Sequence, residues 1–145
     1  MSRVTPEMRD FSNRLVAHEL GENRSSKLKI QATFPVVEKL RPQLATLMGG
    51  AGFNALVARA LALAQVDVAL LRGVHVETDG SLKGLDELGA RSDADQVFES
   101  QVVLLTQILG LLVAFIGEKL TLRLVLDAWP TLPVTDLRFG KGYKQ

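Results

Sequence analysis

The chain has no cysteine and only two histidines, His18 and His75, among its 145 residues. The first absence excludes disulfides, thiolate metal sites and cysteine nucleophiles, and it fits a reducing compartment. The second leaves little for a metal site, because neither histidine has a second histidine or a helically spaced carboxylate pair beside it. No Gly-Lys-Ser/Thr ending follows the glycines at Gly49–Gly52, no GxGxxG fingerprint occurs, and no serine sits in a GxSxG context. Asp86, Glu87, Asp93 and Asp95 lack the ordered spacing of a calcium loop. No catalytic residue, cofactor-binding residue, cofactor or metal ligand is therefore assigned, and the chain is expected not to be an enzyme. Two titratable alternatives stand beside this: a pH-sensing or general-base role for His75, and a ligand or catalytic-base role for His18, which sits beside Glu19 in an exposed-looking stretch.

Charge of one sign is also missing. Seventeen basic and sixteen acidic side chains give a net charge of +1. Residues 1–44 hold eight basic and five acidic groups, residues 45–99 four and eight, and residues 100–145 five and three. A dedicated nucleic-acid binder concentrates a larger positive excess on one face. The C-terminal stretch Arg138–Lys144 mixes cations with Phe139 and Tyr143, a composition suited only to weak contact with single strands or a partner. The first residues show no apolar h-region, so the expected location is the cytoplasm.

Apolar residues make up 47% of the chain and aromatics 6%, a balance that favours helix over sandwich. Thr5-Pro6-Glu7 supplies an N-cap, a proline at the first helical position and an acid in the first turn, predicting a helix over 6–20 that stops at Gly21. Residues 22–29 read as a loop. A second helix is expected over 35–48, kinked at Pro42 or ended at Arg41 and restarted there. Gly49–Gly52 ends it, and an alanine-rich third helix follows over 52–71, its small side chains permitting close approach to a neighbour. Val74–Leu85 alternates around a Thr78-Asp79-Gly80 turn and predicts a small hairpin that must pack on the helices, with His75 facing solvent. Asp86–Gly89 reads as one helical turn.

From a capping-box-like Ser92-Asp93-Ala94-Asp95, a helical pattern continues to Trp129. At about 1.5 Å per residue this element would span roughly 50 Å, so a break near Gly110 or Gly117 is expected. Within it lies the longest apolar run, Val102–Gly117, in which only Thr106 and Gln107 are polar. A helix apolar on every side must be buried in a core, a partner or a bilayer. Sixteen residues cover only about 24 Å, and Glu99, Glu118 and Lys119 bound them, so no constitutive membrane span is expected. Thr106, Gly110 and Ala114 follow a small-xxx-small spacing that serves tight helix packing.

The expected fold is mainly α: a bundle of four or five helices with a small hairpin near 74–85 and a long apolar C-terminal helix. Residues 1–130 form one domain and residues 131–145 a partly ordered tail. The expected function is that of a non-enzymatic interaction or regulatory module, homodimeric, with Leu104, Gly110, Leu111, Ala114, Phe115 and Leu122 at the interface. Two alternatives stand beside it. One is an apolar-ligand binder, with Gln107 as polar anchor and Phe53 or Phe115 as walls. The other is a helical protein that associates with membranes conditionally.

Overall fold

The computed structural model describes residues 5–22, 34–78, 80–85, 87–88 and 93–131. Among the described residues, four helices and one two-stranded antiparallel sheet make a helical bundle with a small hairpin. The expected loop at 22–29, apart from Glu22, and the tail after Thr131 lie outside the described residues.

Helix α1 spans Pro6–Glu22. Its first turn is closed by Thr5, whose Oγ1 accepts from the Met8 amide at 3.1 Å. Met8, Phe11, Leu15 and Val16 form its buried face. Helix α2 spans Pro35–Asp67; it is broken within Gly49–Gly52, where the sequence predicts a boundary, and not at Pro42. It runs through Pro42, and its one break is at Gly49, where φ of 80° is a conformation that glycine adopts without steric cost. Pro42 is solvent-exposed, and Arg41 before it is tied down from several sides. The Arg41 guanidinium donates to both Glu38 carboxylate oxygens at 3.0 Å and to the Gly80 carbonyl at 3.1 Å, and it lies 5.0 Å from the Phe53 ring centre. Tertiary contacts thus hold a helical turn that proline alone disfavours. The helix also ends earlier than residue 71: Val68 is extended, and a 3-10 turn covers Ala69–Gly73.

Strands β1 (His75–Val76) and β2 (Leu82–Lys83) pair with His75 opposite Lys83 and Val76 opposite Leu82. Val74 is buried and His75 exposed, as the alternation predicts. The hairpin leans on α2: Asn54 Nδ2 donates to the Thr78 carbonyl at 2.9 Å, and Gln65 Nε2 donates to the carbonyls of Leu71 and Val74. These bonds supply what so short a sheet lacks by itself. The Leu88 amide donates to the Gly84 carbonyl, closing a helical turn.

Helix α3 spans Ala94–Ile116, and α4 spans Glu118–Ala128. The capping box is one residue later than the sequence suggests. Asp93 Oδ1 accepts from the Gln96 amide at 2.8 Å, while Gln96 Oε1 accepts from the Asp93 amide at 3.0 Å. A glutamine at N3 reaches back where a shorter aspartate does not. Asp93→Ala is expected to cost about 1 kcal/mol of stability, read from urea unfolding. The break falls at Gly117 (φ 89°) rather than Gly110. Helix α4 starts again directly after it, and Thr121 Oγ1 donates to the Gly117 carbonyl at 2.7 Å.

Helix α3 is the central element, packed against α1, α2 and α4. Every residue from Gln101 to Gly110 is buried. Three other helices therefore enclose it over nearly three turns, because α2 is long and bends at Gly49. Beyond Gly110 the enclosure opens on one side: Leu112 stays fully buried, Leu111 and Val113 are half-buried, and Ala114 and Phe115 are exposed.

Candidate functional site

The opening at the end of α3 is an apolar groove of about 540 Å³. One wall is the α2 face carrying Met48, Gly52, Ala55, Leu56 and Arg59; the other is Leu111, Ala114 and Phe115 of α3. The spacings 52-55-56-59 and 111-114-115 each select one helix face, and Met48 joins the first from across the Gly49 break, its side chain lying against Gly52. Gly52, Ala55 and Ala114 reach no further than Cβ, so two neighbouring helices leave a hollow between them. Phe115 is 73% exposed and lines that hollow. A phenyl group left this open forgoes about 1.5–3 kcal/mol of burial that a bound apolar group would supply.

The residues singled out from sequence divide between core and groove. Leu104 and Gly110 are buried in the chain's own core, and Leu122 is half-buried on α4 against it. Leu111, Ala114 and Phe115 line the groove. Of the pocket residues, Phe115 alone is there. Phe53 is buried beneath the Arg41 guanidinium, and Gln107 is buried outside the groove lining. The small-residue line Thr106–Gly110–Ala114 runs from the core out into the opening, so it serves packing at one end and the hollow at the other. Sequence reasoning missed the α2 wall. Its signal was the alanine content of that helix, which reads as close packing and here also makes space.

A second cluster lies near the C-terminal end of α1. Glu19 is 3% exposed, although the sequence around His18 looks solvated. Its Oε1 accepts from Trp129 Nε1 at 2.8 Å and from Lys39 Nζ at 3.1 Å, and Lys39 also lies 5.8 Å from the indole ring centre. The buried carboxylate thus ties the residue after α4 to α1 and α2. His18 Nε2 is 3.1 Å from Thr131 Oγ1 alongside. His75 Nε2 is 3.1 Å from a Glu77 carboxylate oxygen on the exposed hairpin. Among the described residues, no three His, Asp or Glu side chains stand together as metal ligands do.

Comparison with protein families, curated proteins and solved structures finds no match. Function has to be argued from the groove. By length and composition, two helices could cross a membrane: α2 from Val36, whose most apolar stretch is 28% buried, and α3, whose stretch is 67% buried. The core position of α3 accounts for its apolarity without a bilayer.

Proposed function

We propose that this chain is a non-enzymatic binding module whose working surface is the groove between α2 and the end of α3. The observation that carries the reading is Phe115: a large aromatic side chain, 73% exposed, beside a ready-formed apolar hollow. A volume of about 540 Å³ lies within the range of small-ligand sites, roughly 300–1,000 Å³. A stable dimer face needs about 800 Å² from each partner. The other large exposed apolar residues among the described ones, Leu47, Val66 and Leu120, are dispersed over α2 and α4. The dimensions therefore favour a ligand-sized apolar occupant.

The homodimer is the second reading, and the juxtaposition of knob and hollow favours it. Phe115 of one copy can enter the groove of another about a two-fold axis, which makes the patch self-complementary. The two readings part in experiment. Titration with the neutral dye Nile red should saturate at one site per chain, and Phe115→Asp should weaken binding about tenfold or more. Absence of saturable binding, or equal binding by Phe115→Asp, would refute the ligand reading. Light scattering at twice 15.8 kDa, reverting to the single-chain mass in Phe115→Asp, would support the dimer instead.

A further inference from the structure

Arg59 gives the groove a polarity that its apolar walls do not. It is exposed, it lines the hollow beside Ala55 and Leu56, and no described residue forms an ion pair or hydrogen bond with it. The sequence leaves it without helical neighbours of opposite charge. The positions three and four residues away are Leu56, Ala55, Ala62 and Leu63, and the nearest acid on α2 is Asp67, two turns on. Arg9 and Arg41, by contrast, are paired with Glu99 and Glu38. A permanently charged guanidinium beside an apolar hollow matches a ligand with an apolar body and an anionic end.

Resting on the binding-module reading, we infer that the groove takes a free amphiphilic carboxylate of the fatty-acid type. Its chain lies along Leu56, Leu111 and Phe115, and its carboxylate meets Arg59. The planar guanidinium pairs with a carboxylate through two parallel hydrogen bonds, a geometry that also fixes which end of the ligand faces out. The lining supplies one cation only. Anionic membrane surfaces are recognised by clusters of about four to eight basic residues, so a single arginine suits a monoanion in solution better than a bilayer.

The test is displacement of Nile red by three ten-carbon probes, decanoate, decanol and decyltrimethylammonium, on the full chain and on Arg59→Gln. Decanoate should bind about fivefold more tightly than decanol to the native chain, a difference set by one partly exposed charge-assisted pair. That difference should fall below about twofold in Arg59→Gln, whose exposed position leaves folding intact. The cationic probe should bind most weakly to the native chain. Equal affinity of all three for the native chain would overturn the carboxylate inference while leaving the groove as an apolar site. Failure of the dye itself to bind would remove both. Flotation with phosphatidylcholine vesicles containing oleate, if lost in Arg59→Gln, would place the carboxylate in a membrane and overturn the free-ligand inference.

Discussion

Trp129→Ala should lower the free energy of unfolding by about 3–5 kcal/mol, the range for emptying an aromatic site in a packed interior. Trp129 is fully buried directly after α4, and its indole nitrogen donates to the Glu19 carboxylate beside Lys39. Removing the ring opens a cavity, takes a hydrogen bond from a buried charge and uncovers Lys39, which lies over the ring. Trp129→Phe separates these contributions. It keeps most of the volume and deletes the donor, so it should cost about 1–3 kcal/mol. Urea unfolding of the three proteins reads both values. A loss under about 1 kcal/mol for Trp129→Ala would mean that the chain after α4 is not docked on α1 and α2.

Leu105→Ala and Phe115→Ala should behave as opposites although they lie in the same apolar run. Leu105 is fully buried in α3, and its truncation should cost about 3–5 kcal/mol through lost transfer energy and the cavity left behind. Phe115 is exposed, and its truncation should change stability by no more than about 0.5 kcal/mol. The same change should remove apolar binding. Comparable destabilisation by both would show that the end of α3 is covered.

Much of the fold is legible where a local signal decides it. Thr5-Pro6 opens α1, the alternation around Val74 and Val76 predicts the hairpin, and Gly117 breaks the C-terminal helix. Features decided by tertiary contacts are not legible. Pro42 reads as a break, yet Arg41 is held by Glu38, Phe53 and Gly80, one of them nearly forty residues away. The burial of Glu19 depends on Trp129, at the far end of the domain. The candidate site is half visible. Periodicity along one helix picks out Leu111, Ala114 and Phe115. It has no means of showing that Met48, Gly52 and Arg59 form the facing wall, since that depends on how α2 bends at Gly49.

The central claim is that the apolar run is enclosed by its own chain as far as Gly110 and opens into a binding groove beyond it. Because the sequence has no cysteine, single substitutions give unambiguous thiol-labelling rates. Leu105→Cys and Ile108→Cys should be strongly protected under native conditions, while Ala114→Cys and Phe115→Cys should react nearly as fast as an unstructured thiol and slow when Nile red or decanoate is added. Rapid labelling of Leu105→Cys, or protection of Phe115→Cys in the unliganded chain, would contradict the account.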